Sequence, residues 1–148
     1  HRLSVGCRSE PLGAVDLVFA VAPFHPLARL PSPLDSAEIR RHRQIVVGDT
    51  SQRLAPRTAG VTGSIDVLTV PTMAAKIEAQ KAGLGCGYLP RGRIADAVAH
   101  GALVIRETDQ GGRSSALKAA WRQDARGKAA AWWIAKLRKP ATRAALAA

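Results

Sequence analysis

Val15-Asp16-Leu17-Val18-Phe19-Ala20-Val21-Ala22 is the stretch that decides the fold. Apart from Asp16 it is wholly apolar, and its valines and phenylalanine suit a pleated strand. A strand with one wet face alternates apolar and polar residues. A run without alternation is buried on both faces, as in a parallel sheet covered by helices. Residues 15–22 are therefore expected to be a central strand of a parallel-type sheet. Upstream, Leu3, Val5 and Cys7 alternate with polar residues like a half-buried strand, which Pro11 and Gly13 are expected to break. Downstream, Pro23, Pro26, Pro31 and Pro33 forbid regular structure. Ser32-Pro33-Leu34-Asp35 then reads as a helix start, with Ser32 as cap, Pro33 in the first helical position and Asp35 reaching back. That helix is expected to run for about ten residues, to near His42.

Further along, strands are expected at Gln44 to Val47 and Ile65 to Val70. Thr72 can cap a helix from Met73 to Ala82, with Gly83 as its stop. Leu84 to Leu89 reads as a strand ended by Pro90. Ile94 and Val98 mark a helix that stops at Gly101. Leu103 to Ile105 and Ala116 to Trp121 read as strands, and Lys128 to Lys139 as a helix ended by Pro140. Trp132 and Trp133 are expected to anchor a core, and the last eight residues to be mobile. The alternation of strands and helices argues an α/β fold. Sheets of this kind bind ligands beyond the carboxyl ends of their strands, here Ala22, Val47 and Val70.

The 148 residues fit one domain or a large piece of a two-lobed one. Apolar residues make up 47%, which excludes wholesale disorder. No apolar run approaches the roughly 20 residues that span a bilayer. The chain starts with His1 rather than Met, so it is expected to be an excised fragment. Cys7 and Cys86 are too few for a disulfide framework and are expected to be reduced thiols in a cytoplasmic protein. The net charge is +11 and unevenly spread: residues 113–148 hold nine basic groups and one acid, Asp124. Without interleaved aromatics or a recognition helix, this end reads as a solvated face rather than a nucleic-acid surface.

No catalytic, metal or cofactor constellation emerges. In Gly83-Leu84-Gly85-Cys86-Gly87 the glycines follow a helix and enter a strand, the reverse of a dinucleotide fingerprint, and fit a helix stop and close packing instead. His1, His25, His42 and His100 are scattered, with no neighbour at metal spacing, and His25 reads as a local structural residue. Ser51 lacks the flanking glycines of a nucleophile elbow, and Asp16, Asp49 and Asp66 stand apart in sequence. Two polar turns after strands remain, Asp49-Thr50-Ser51-Gln52-Arg53 and Pro71-Thr72-Met73. A helix N-terminus there favours an anion by about 0.3–1 kcal/mol when exposed. Arg53 and Arg57 can each add roughly 1.5–3 kcal/mol if desolvated. The plainer alternative is a Thr72 that only caps its helix and an Arg53 that is only surface.

The chain resembles the effector-binding (substrate-binding) domain of LysR-type transcriptional regulators. The matching pieces are Pro11-Leu12-Gly13 before the strand Leu17 to Ala22, then Pro23-Phe24-His25-Pro26-Leu27-Ala28 and Leu34-Asp35. Thr72-Met73 follows, then Ala82-Gly83-Leu84-Gly85 leading to Tyr88-Leu89-Pro90, Gly101-Ala102-Leu103-Val104 and Ala119-Ala120-Trp121-Arg122. The resemblance covers residues 11–138. It implies an α/β fold like that of the type 2 periplasmic binding proteins, with two lobes and a cleft. Residues 15–120 are expected to form the second lobe, and 1–14 with 121–148 a remnant of the first. The winged helix-turn-helix of the family and most of its first lobe have no counterpart in the chain, so DNA is contacted only through a domain outside it. The resemblance places effector contacts at Thr50, Ser51, Gln52, Arg53 and Thr72. It implies a cytoplasmic dimer paired through residues 73–82, with Ala74, Ile77 and Ala82 exposed for that purpose, and no membrane contact. The function expected is sensing of a small anionic metabolite in the cleft, without enzymatic activity or cofactor. A free-standing periplasmic-type solute-binding protein is the alternative, and a small α/β enzyme a more distant one.

Overall fold

The run at 15–22 forms the end of a long strand, β1 (Cys7–Val21), in a computed structural model that describes residues 6–48, 66–124 and 127–147. The chain divides into two compact units, residues 17–113 and residues 1–16 with 114–148. In the larger unit the elements after β1 are α1 (Ser36–Arg40), β2 (Gln44–Val47), β3 (Val67–Val70), α2 (Met73–Lys81), β4 (Gly87–Pro90), α3 (Ala95–Ala99) and β5 (Val104–Arg106). Short 3-10 turns lie at Pro26–Ala28 and Gly92–Ile94. The smaller unit holds most of β6 (Arg113–Arg122), which pairs with β1, together with α4 (Lys128–Arg138) and α5 (Pro140–Ala147).

β1 is central, as its composition predicts, and both its faces are buried. Phe19 and Val21 join Leu27, Leu34, Ile39, Cys86 and Tyr88 on one side. Val18 and Ala20 join Leu89, Ile94 and Leu103 on the other, with Met73 and Ile77 of α2 and Val98 of α3 packed against them. Each fully buried leucine or isoleucine contributes about 1.5–3 kcal/mol relative to exposure. Ile77 thus faces the core and is not exposed, whereas Ala74 and Ala82 are exposed.

The expectation of a parallel sheet around β1 is wrong. β1 pairs antiparallel with β4 (Leu17 opposite Pro90, Ala20 opposite Gly87) and with β5 (Phe19 opposite Arg106, Val21 opposite Val104). Burial on both faces needs helices on both faces, and the direction of the neighbouring strands is a separate matter. Parallel pairing occurs one step away, where β2 lies beside β3 with Gln44 opposite Val67 and Val47 opposite Val70. Ile45 N–H donates to Cys86 O (3.0 Å) and Cys86 N–H to Arg43 O (2.9 Å), which joins this pair to the approach of β4.

Three local expectations also fail. The first helix is five residues long and starts after Asp35, whose carboxylate accepts from Ala37 N–H at 2.7 Å. Leu34 is committed elsewhere: its N–H donates to Glu107 O and its carbonyl accepts from Asp109 N–H, so it is extended and Ser32 cannot cap. β1 runs through Pro11 and Gly13. Among the described residues β4 and β5 flank β1 only from Leu17 on, so neither of them needs an N–H from Pro11. The last residues form α5, with Pro140 in its first turn, where the missing N–H costs nothing.

Candidate functional site

Two of the three strand ends singled out in the sequence come together. β2 and β3 are parallel, so Val47 and Val70 leave the sheet at one edge, and Gly48 N–H donates to Val70 O at 2.9 Å. The turn Pro71-Thr72 therefore starts beside the point from which residues 49–53 depart. Ala22 is at the opposite edge, because β1 runs against β4 and β4 runs with β2. Thr72 is exposed, and its Oγ1 accepts from Ala75 N–H at 3.1 Å, which makes it the cap of α2. Its hydroxyl proton is still available to a ligand. Thr50, Ser51, Gln52 and Arg53 lie outside the described residues, as do Arg57 and Asp49.

The inner face of α2 carries two polar groups that sequence reasoning missed. Lys76 is 6% exposed and Gln80 fully buried. Their i, i+4 spacing, on the same side as Met73 and Ile77, was the available signal. Burial pushes the Lys76 ammonium down to about 8, partly offset by the Cys86 thiol beside it. Burial likewise pushes Cys86 up to about 12. No carboxylate pairs with Lys76 among the described residues. The Gln80 amide donates to Ala20 O (3.3 Å) and accepts from Gly87 N–H (3.1 Å), fastening α2 to the start of β4.

The glycine run behaves as a stop and a close approach. Gly83 has φ +73, a conformation that side chains rarely adopt. A Cβ on Gly85 would sit 2.5 Å from Arg43 O, so β2 can approach only a glycine there. His25 is a structural residue, as expected: its Nδ1 accepts from Leu27 N–H at 3.2 Å, and its ring lies 5.2 Å from that of His42. Burial, and then the neighbouring His42, push its pKa down. Cys7 is half-buried and Cys86 buried, and no disulfide joins them. Trp132 and Trp133 do not anchor a core. They touch each other edge to face at 4.9 Å, yet are 55% and 58% exposed, because the described residues of their unit supply no layer for α4 to bury against.

The larger unit also has a cavity of about 350 Å³ where β5 leaves the sheet, reached by Tyr88, Arg91, Arg106 and Thr108. No local pattern announces it, since its lining is spread from Val18 to Gly112. Among the described residues no group of three His, Cys, Asp or Glu side chains could hold a metal ion, and no helix is long and apolar enough to cross a membrane.

A model of the LysR substrate binding domain family matches residues 2–141. The chain is 38% identical over 122 residues to the uncharacterized HTH-type transcriptional regulator YeeY of Escherichia coli (strain K12), covering 82% of this chain and 40% of that protein. It thus spans about two fifths of this curated relative. Its fold matches that of the probable transcriptional regulator PA0477 of Pseudomonas aeruginosa, with a TM-score of 0.71 at 19% identity over 93% of this chain and 47% of that one. It also matches the full-length LysR-type regulator LysG of Corynebacterium glutamicum with bound effector Arg, with a TM-score of 0.65 at 18% identity over 93% and 47%.

Proposed function

Because the chain belongs to the LysR substrate-binding domain family, we propose that it is the effector-sensing part of a bacterial DNA-binding transcriptional regulator. The observation that carries this reading is the shared edge of β2 and β3, where Gly48 is bonded to Val70 and Thr72 caps α2. There the N-terminus of a nine-residue helix and a threonine hydroxyl meet the chain that leads into Thr50, Ser51, Gln52 and Arg53. Such an edge suits a small anionic metabolite, held by helix N–H groups and hydroxyls and closed over by an opposing lobe. The effector can shift the regulator only by binding one of its states more tightly than the other. The arginine bound to LysG and the regulator name of YeeY support this reading over a free-standing solute-binding protein or an enzyme.

In this reading residues 15–120 are the second lobe and 1–14 with 121–148 belong to the first. The division of the chain between Asp16 and Leu17 supports the first of these boundaries, whereas the second division falls after Arg113 and puts residues 114–120 with the smaller unit. The regulator is cytoplasmic, reaches DNA through a domain outside this chain, and pairs as a dimer through residues 73–82. The exposure of Ala74 and Ala82 supports that pairing. The test uses the full-length regulator and a panel of amino acids and hydroxy or aromatic acids. At least one is expected to raise the thermal midpoint and change transcription from the target promoter, and Thr72→Val is expected to weaken that response about tenfold. A midpoint that no acid moves, together with a Thr72→Val response equal to wild type, would sink the assignment.

A further inference from the structure

We propose that residues 17–113 carry a second ligand site, the cavity beside Tyr88, and that it takes a small monocarboxylate with an apolar body. The site is independent of the effector reading, since it uses neither Thr72 nor residues 49–53. At about 350 Å³ the cavity has the size of a small-metabolite site. Val18, Phe19, Ile105 and Pro33 give it apolar walls. A bare inorganic anion would leave those walls unused.

Its polar side is cationic. Arg91 and Arg106 line the cavity, and the guanidinium of Arg113 lies 4.2 Å from the centre of the Tyr88 ring. Among the described residues none of the three is in an ion pair. Arg106 is held only by neutral groups. Its Nη1 donates to Ala28 O at 3.1 Å and its Nη2 to Leu30 O, while its buried Nε has no acceptor. Glu107 is the one carboxylate in the lining, so the three arginines leave the site with net positive charge. A guanidinium held by carbonyls keeps its full charge, and an organic carboxylate supplies the missing counter-charge in a partly desolvated setting where it counts for most. Thr108 Oγ1 donates to Gly111 O at 3.3 Å and lies 3.0 Å from Tyr88 Oη, so both buried hydroxyls are satisfied within the wall and the arginines carry the recognition of the carboxylate.

Tyr88 is the only tyrosine in the chain, so the protein made with 3-fluorotyrosine gives one fluorine resonance, located in this cavity. Benzoate and isovalerate are the probes, with benzamide and inorganic phosphate as controls. Benzoate or isovalerate is expected to shift the resonance saturably. Benzamide and phosphate are expected to leave it in place at ten times the concentration. Arg91 is exposed and Arg113 half-exposed, so the double variant Arg91→Gln, Arg113→Gln is expected to fold and to bind at least tenfold more weakly. If it does not fold, Arg91→Gln alone is expected to weaken binding at least threefold. The proposal is overturned if neither carboxylate moves the resonance of the folded protein. It is equally overturned if benzamide or phosphate moves it as strongly, or if the folded arginine variant binds as tightly as wild type.

Discussion

Residues 17–113 and the segments 1–16 and 114–148 are built from the same kinds of elements, but only the first set closes a core. Every buried side chain among the described residues lies between Val18 and Thr108. In that stretch the two faces of β1 each meet an apolar layer: α1 and the first 3-10 turn cover one, and α2 and α3 cover the other. In the smaller unit α4 buries no residue, and its two tryptophans rest on each other. Its ties are at the surface, such as the two-pronged Arg138–Glu10 pair, which holds the Glu10 carboxyl below its ordinary range. Paired surface charges position a helix but add little stability. What makes a stretch of chain self-sufficient here is the meeting of two apolar layers, not the presence of helices and strands.

The largest test of this contrast deletes matched apolar groups on the two sides. Leu89→Ala, at a position with 0% exposure, is expected to lower unfolding free energy by about 2–5 kcal/mol. Trp133→Ala removes a larger side chain, but one that is 58% exposed, and is expected to change it by less than about 1 kcal/mol. Denaturant titration of the two variants measures both. Equal losses would mean that the smaller unit has a core of its own.

A smaller effect of opposite sign is expected at Lys76. Its folded pKa, about 8 against an ordinary 10.5, means that the folded state carries the ammonium at a cost below pH 8. That cost is relieved as pH rises from about 8 to 10.5, where the folded amine is neutral while the unfolded one still binds its proton. Lys76→Met should raise stability at pH 7 by on the order of 1–3 kcal/mol and remove the gain at alkaline pH. An unchanged alkaline profile in the variant would assign that gain to another group.

The smallest effect belongs to His25. Its pKa is lowered in the folded state, so its contribution is complete above the ordinary value of 6.5 and is lost as pH falls through the folded value. Protonation would also end its acceptance from Leu27 N–H and set it against His42, whose own ring is 3.4 Å from the Glu38 carboxylate. Thermal midpoints are expected to fall from pH 7 to pH 5, and to fall less in His25→Asn, which keeps an acceptor without the titration. An equal fall in both would acquit His25.

Much of the fold could be read directly from residues. Thr72, Met73 and Gly83 mark the cap, start and stop of α2, because caps and stops are local hydrogen-bond and backbone requirements. The candidate site was legible at Thr72 and at the strand end Val47. That Gly48 and Val70 are bonded to each other was not, since 22 positions separate them and no local pattern records the pairing. Nor was the cavity beside Tyr88, assembled from residues that share no periodicity. The start of α1 is not legible locally, because Leu34, a sound helical residue by its neighbours, is taken by Glu107 and Asp109.

By itself the sequence determined that residues 15–22 hold a strand buried on both faces, which the structure places at Val18–Val21, that α2 begins at Met73 and stops before Gly83, and that the glycines at 83–87 serve packing. These follow from composition, spacing and backbone freedom, which act within a few residues. Only the tertiary structure decided that β4 and β5 run against β1, which puts Ala22 at the far edge from Val47 and Val70. Parallel and antiparallel neighbours satisfy the same N–H and C=O groups and bury the same side chains, so nothing in the strand itself distinguishes them. The same holds for Trp132 and Trp133: their apolar surface is fixed by the sequence, but whether another layer covers it depends on what that surface meets.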